Sequence, residues 1–184
     1  MRQICKDIIQ TVIDHHGKIT GPILEIGSNQ GDQLEFANLR PMFPGQKYVG
    51  VDMIGGPGVD IVYDACQYVN RYRYNCILCV DALEHFEHPQ KLIHNVYQNL
   101  KYNGIFILIT VFNWPIHMHP DDFYRFTPSA LASLCKVFPI KIYGKIGDSD
   151  RPNTVWLVAY DSDDDIDVEY TDDLKRKIHL LSEY

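Results

Sequence analysis

The stretch ILEIGSNQGDQLEFA, Ile23 to Ala37, decides the fold. An apolar run takes in the acid Glu25, glycines follow at 27 and 31, and a helical pattern runs from about Asp32 to Asn38. Such a strand, turn and helix lets a ligand approach the backbone at the glycines and offers it unpaired helix amides. The dinucleotide fingerprint G-x-G-x-x-G is absent, because Asn29 stands at the middle position. The phosphate loop G-x-x-x-x-G-K-[ST] is absent too. What remains is E-x-G-x-x-x-G, and by itself this also describes a plain structural turn.

Outward from this turn, short apolar runs alternate with helical stretches. Ile4, Ile8, Ile9 and Val12 recur at helical spacing up to His16-Gly17, which predicts a helix over about residues 2–16. PILEI, KYVGVD, VDIVYD and NCILCVD read as strands one to four, the third short. A helix opens at Pro89, carries Leu92, Ile93, Val96 and Leu100 on one face, and is expected to stop at Asn103-Gly104. IFILITVF is a fifth strand, and Thr127-Pro128 begins another helix with Leu131, Leu134 and Cys135 inward. PIKIYGKI and NTVWLVAY, joined by GDSDRPN, read as a closing antiparallel hairpin. Strands that are apolar on both faces and alternate with helices predict a mainly parallel sheet covered on both sides. Ligands of such sheets bind beyond the strands' carboxyl ends, where the strand order reverses. The segments to search for chemistry are therefore 25–31, 52–53, 64–65, 81–85 and 112–126.

Composition narrows the class. With 184 residues and 46% hydrophobic content, the chain can bury one sizeable core. Its longest apolar runs fall well short of a membrane span. Lys6 and Asp7 sit where a signal peptide would place its apolar segment, so the expectation is a soluble, cytoplasmic protein with no membrane partner. Five cysteines at 5, 66, 76, 79 and 135 suit reduced thiols better than a disulfide framework. Cys76 and Cys79 have the spacing of half a zinc site, but they lie inside an apolar run with no second pair, and buried strand residues are expected. The net charge of −7 is uneven: from Asp161 onward nine acids face three bases, whereas the first 160 residues carry 15 acids and 14 bases. That nearly neutral body has one dense basic-aromatic pair, Arg71 and Arg73, so a nucleic-acid partner held by its phosphates is disfavoured.

The other strand ends add meaning to the opening turn. Asp52 ends the second strand, where an acid can accept both hydroxyls of a ribose, and Met53 follows to pack on an adenine face. Asp64-Ala65 ends the third strand, and DALEHFEHP, 81–89, follows the fourth. Taken together, ILEIGSNQG, YVGVDM, VDIVYDA, LCVDALEHFEHP and LKYNGIFILITVF resemble class I S-adenosylmethionine-dependent methyltransferases over roughly residues 20 to 160. The likeness is to the broad bacterial group with L-E-H after the fourth strand. HPDDFYRFTPSAL, 119–131, resembles an element of a subset that accompanies sugar or polysaccharide biosynthesis.

The resemblance implies a Rossmann-like, doubly wound α/β fold of seven strands with an antiparallel last strand, over a single domain spanning 1–160. It implies that Glu25 and the turn at Gly27, Ser28, Asn29 and Gly31 meet the methionine portion of S-adenosylmethionine. Asp52 would hold the ribose, Met53 the adenine face, Asp64 and Ala65 its amino edge, and Asp81 would stand near the sulfonium. A cationic cofactor with a zwitterionic end suits acids and helix amides without a phosphate site.

Methyl transfer needs alignment, a dry pocket and a destination for the acceptor's proton. His85, next to Glu84, is the first candidate base, set against a purely loop-ordering role. His117, His119, Asp122, Tyr124 and Arg125 form a second group, a predicted rim over a polyhydroxylated acceptor. There His119 with Asp122 is a candidate oriented base, and His117, Tyr124 and Arg125 are candidate acceptor contacts. The structural alternative is a local Asp122–Arg125 ion pair. His85, His88, His117 and His119 lack the H-x-x-x-H spacing of a helical metal site, so no metal is expected.

The tail is expected to form an acidic linker from Asp161 and an amphipathic helix capped by Thr171, with Leu174, Ile178 and Leu181 on one face. That face would dock on its own domain, or on a second copy or partner protein. The resulting expectation is methyl transfer to a small polar acceptor, a hydroxyl of a sugar or polysaccharide precursor. Two alternatives remain: a non-catalytic binding module of the same fold, and a protein or nucleic-acid methyltransferase. The lack of an N-P-P-Y-like motif after the fourth strand speaks against an amino-group nucleic-acid enzyme.

Overall fold

The computed structural model describes residues 2–31, 37–118, 120–162 and 167–183. Its centre is one seven-stranded sheet in the order β3-β2-β1-β4-β5-β7-β6. The strands are β1 (Ile23–Ile26), β2 (Tyr48–Asp52), β3 (Ile61–Val62), β4 (Tyr74–Val80), β5 (Leu100–Val111), β6 (Ile140–Gly147) and β7 (Pro152–Tyr160). The pairs from β3 through β5 are parallel, and β7 runs antiparallel to both β5 and β6. Six strands therefore share one direction and the last opposes them, as expected. The order reverses at β1, between β2 and β4, which puts the ligand crevice beyond the ends of those strands.

Alternation along each strand sends side chains to two separate cores. On one face, α2 (Pro89–Asn99) and α3 (Pro128–Leu134) bury Leu92, Val96 and Leu131 against Leu24, Ile77, Cys79 and Phe106. On the other, α1 (Gln3–His16) and α4 (Val168–Leu180) bury Ile8, Ile9, Leu174 and Ile178 against Ile23, Cys76, Leu78 and Trp156. Cys76 and Cys79 thus lie on opposite faces of the sheet, both fully buried, and cannot share an ion. Burial pushes the thiol pKa values up, to about 12 for Cys135, which keeps them protonated. Among the described residues no helix is long and apolar enough to cross a membrane.

Two boundaries differ from the sequence expectation. The helix from Pro89 ends at Asn99, and Leu100 opens β5 opposite Tyr74. Asn103 adopts a left-handed backbone (φ 60) and donates its N–H to the Asp161 carbonyl at 2.6 Å, and Asn103-Gly104 lies within β5 where its pairing with β4 is irregular. The C-terminal helix begins at Val168, with the Asp167 side chain accepting from the Glu169 N–H; Thr171 lies inside it. The helix proposed from Asp32 falls largely outside the described residues. Leu174 and Ile178 are both fully buried within the chain itself.

Candidate active site

A cavity of about 670 Å3 opens where the strand order reverses. Its floor is the turn after β1. Gly27 has φ 73, and a Cβ built on it would lie 2.5 Å from the Ala82 Cβ, so only glycine lets the turn nest against the end of β4. Its N–H donates to the Val51 carbonyl at 2.9 Å, tying the turn to β2. Gly31 is also left-handed, at φ 52. Glu25, Gly27, Ser28, Asn29, Gly31, Asp52, Met53, Ala65 and Asp81 all line this one cavity.

Three polar groups here suit a ligand. Ser28 Oγ is buried and makes no hydrogen bond to the described residues. Glu25 is 4% exposed, and burial raises its carboxyl to about 8, against the opposing effect of the Tyr48 hydroxyl that donates to it at 2.9 Å. Asp52 accepts from the Asn29 N–H and the Ile54 N–H, both at 3.0 Å, which fixes the carboxylate at the cavity wall. Met53 is 59% exposed, an apolar side chain in the open mouth. A buried hydroxyl without a partner, a desolvated acid and a fixed carboxylate fit a nucleoside-linked amino acid.

Asp64 departs from this pattern. Its two oxygens accept from the Cys66 N–H and the Gln67 side-chain amide, each at 2.8 Å, and it does not line the cavity. The carboxylate is turned into its own loop, leaving Ala65 at the wall.

At the end of β4, Asp81 has φ 47, a left-handed conformation that a non-glycine residue adopts at a cost of about 1–3 kcal/mol. Its carboxylate is gripped by Arg2, from Nη2 to Oδ1 at 2.6 Å and from Nε to Oδ2 at 3.2 Å. Arg2 also donates to Thr154 Oγ1, and its guanidinium lies 5.5 Å from the centre of the Trp114 ring. Arg2 lines the cavity, although its sequence neighbourhood marks it only as the start of a helix. Lone arginines carry no periodic signal, and the pairing spans 79 residues.

The opposite wall combines the turn after β4 with the strap that follows β5. Phe123 N–H donates to the Glu84 carbonyl at 2.8 Å, pinning strap to turn. Glu84 is fully buried; Oε2 accepts from the Thr110 hydroxyl at 2.6 Å, while Oε1 accepts no hydrogen bond from the described residues. Burial raises the Glu84 pKa and the Thr110 bond opposes it. His117 Nε2 lies 3.8 Å from Oε1, and the His85 and His117 rings meet edge to face at 4.8 Å. Both histidines line the cavity.

The remaining rim residues brace the strap. Asp122 forms a two-pronged pair with Arg125, one arm at 2.7 Å, and accepts from the His117 N–H at 2.9 Å. The Arg125 hydrogen bonds hold the Asp122 carboxyl far below the usual carboxylate range. Asp122 in this state orients its neighbours and is a poor proton acceptor. Arg125 further donates to the Trp114 and Pro115 carbonyls, and the Tyr124 hydroxyl donates to the Glu87 carbonyl at 3.0 Å. The ion pair foreseen as the structural alternative is therefore present. His119 lies outside the described residues.

A family model described as a methyltransferase domain matches residues 1–139. The chain belongs to that family. No curated protein matches the sequence. Among solved structures, a 1,6-didemethyltoxoflavin-N1-methyltransferase from Burkholderia thailandensis, bound to 1,6-didemethyltoxoflavin and S-adenosylhomocysteine, is similar at 15% identity and a TM-score of 0.66. The match covers 88% of this chain and 79% of that one. The N-methyltransferase NodS from Bradyrhizobium japonicum, in complex with S-adenosylhomocysteine, is similar at 11% identity and a TM-score of 0.61, over 85% of this chain and 84% of that one. A methyltransferase from Archaeoglobus fulgidus is similar at 14% identity and a TM-score of 0.60, covering 84% of this chain and 94% of that one. At such identities the likeness is one of fold.

Proposed function

We propose that this methyltransferase-domain protein binds S-adenosylmethionine and transfers its methyl group to a hydroxyl of a small polar acceptor, a sugar or polysaccharide precursor. One observation carries the reading: a single cavity has Glu25, Ser28 and Asp52 on one wall and His85 and His117 on the other. The first wall fits the donor. Glu25 and Ser28 would take the methionine ammonium and carboxylate with the help of the Gly27–Gly31 turn, Asp52 the ribose hydroxyls, and Met53 and Ala65 the adenine. Bound there, the donor supplies a methyl group already activated on a sulfonium.

The second wall serves the acceptor. His85 and His117 would take the acceptor's proton, and Asp122 holds the His117 segment by accepting from its backbone N–H. Tyr124 and Arg125 hold the strap in place, and the strap brings Trp114 to the cavity. The fold likeness of the solved methyltransferases to this chain supports the donor assignment. The test is a methyl-transfer screen with labelled donor against free sugars, nucleotide sugars, small amines and peptides. Label in the sugar fractions, lost in His85→Ala and His117→Ala, is expected; label confined to amines or peptides would overturn the acceptor class.

A further inference from the structure

We infer that Glu84, His85 and His117 form a binding site for one divalent first-row transition-metal cation at the acceptor wall of the cavity. The three residues come from separate segments. Glu84 and His85 sit on the turn after β4, and His117 on the strap after β5; the hydrogen bond from Phe123 N–H to the Glu84 carbonyl holds turn and strap together. One ligand atom from each lies within 4.8 Å of the other two. Tetrahedral ligands about 2.1 Å from a cation stand roughly 3.4 Å apart, so side-chain rotations of about 1 Å close the site.

Each ligand is already oriented by a second group. His85 Nδ1 lies 2.6 Å from the Asp121 carbonyl oxygen. A carbonyl only accepts, so Nδ1 carries the proton, and the tautomer that binds a metal through this ring uses Nε2. His117 Nδ1 lies 3.1 Å from the Pro115 carbonyl and 3.2 Å from Asp122 Oδ2, which fixes the same tautomer and directs Nε2 toward Glu84 Oε1. Thr110 donates to Glu84 Oε2 and leaves Oε1, buried and accepting no hydrogen bond from the described residues, 3.8 Å from His117 Nε2. Carbonyl or carboxylate behind each imidazole and a hydroxyl behind the carboxylate is the outer shell that metal ligands use. Two neutral imidazoles and one carboxylate suit Mn2+, Fe2+, Co2+ or Zn2+ better than Ca2+, which prefers an all-oxygen shell.

Among the described residues the site has three protein ligands, which leaves coordination positions for a further ligand, and both histidines line the cavity. Resting on the functional reading above, those positions would take an oxygen of the hydroxyl-bearing acceptor, and with the metal bound His85 and His117 serve as ligands rather than as proton acceptors. Sequence spacing hides the arrangement, because the H-x-x-x-H pattern is missing and 32 positions separate His85 from His117.

The test uses the untagged full chain, stripped with a chelator and titrated with Co2+, with the visible d–d absorption as the readout. One equivalent per chain is expected, with affinity weakened at least about tenfold in His85→Ala and in His117→Ala and also lowered in Asp122→Asn. The histidine variants lie at the cavity wall, and their folding is checked by circular dichroism, so the buried Glu84 need not be altered. Asp52→Ala should bind Co2+ as the wild type does while losing the methyl donor. Donor binding by the metal-free protein tests the functional reading separately. No saturable Co2+ binding at millimolar metal, or binding unchanged in both histidine variants, would overturn the site.

Discussion

Replacing Glu25 with Gln should raise stability and weaken donor binding together, with opposite consequences along the pH scale. Glu25 is 4% exposed on β1, and burial raises its pKa from the ordinary 4.5 to about 8. A carboxyl raised in the folded state contributes stability that is fully present below about pH 4.5 and is lost as pH rises through about 8. Over that interval the loss reaches at most about 5 kcal/mol, at about 1.4 kcal/mol per pH unit. Glutamine keeps the shape, accepts the Tyr48 hydroxyl through its amide oxygen, and carries no titrating proton. Thermal melts of wild type and Glu25→Gln should therefore agree near pH 4 and separate by up to roughly 10–20 °C in the variant's favour near pH 8.5. Donor binding follows the reverse logic: an ammonium partner requires the ionised acid, so below pH 8 the wild type should take up donor with release of about one proton. Calorimetry in buffers of different ionisation enthalpy reads that proton directly. Parallel melting curves across pH, or donor binding with no proton release at pH 6.5, would refute the reasoning.

Gly27→Ala should cost about 3 kcal/mol and abolish donor binding, because the new Cβ meets Ala82 at 2.5 Å and φ is 73; chemical denaturation and calorimetry measure the two effects. Ile178→Ala should destabilise the protein by about 2–5 kcal/mol, since this α4 residue is fully buried against the sheet; a midpoint unchanged in urea would mean that α4 docks only loosely. A double-mutant cycle over Arg2→Ala and Asp81→Asn should give a coupling of about 1–3 kcal/mol, because either single change leaves a partly buried partner charge; additive effects would show the pair to be incidental.

Much of the sheet is legible in the sequence because its strands are buried on both faces and read as continuous apolar runs. The end of α2 is not, because Leu100 continues the helical spacing while its pairing with Tyr74 draws it into β5. Thr171-Asp-Asp has the composition of a helix start, yet Asp167 caps the helix a turn earlier. The proposed donor wall follows from local pattern, since the turn after β1 and the acid ending β2 both stand at strand ends beside the point where the strand order reverses. Asp64 is the exception, because an acid at a strand end serves equally well to cap its own turn. Other parts of the cavity depend on tertiary contacts: Arg2 meets Asp81 from 79 positions away, and the strap carries His117 to Glu84. No spacing within either segment announces these meetings.

The most direct test of the central claim is calorimetric titration with S-adenosylmethionine of the wild type and Asp52→Ala, with NAD as a control ligand. Saturable micromolar binding to the wild type, lost in the variant and absent for NAD, is the predicted result. No binding of the methyl donor, or binding that survives Asp52→Ala unchanged, would contradict the placement of the nucleoside on the turn after β1.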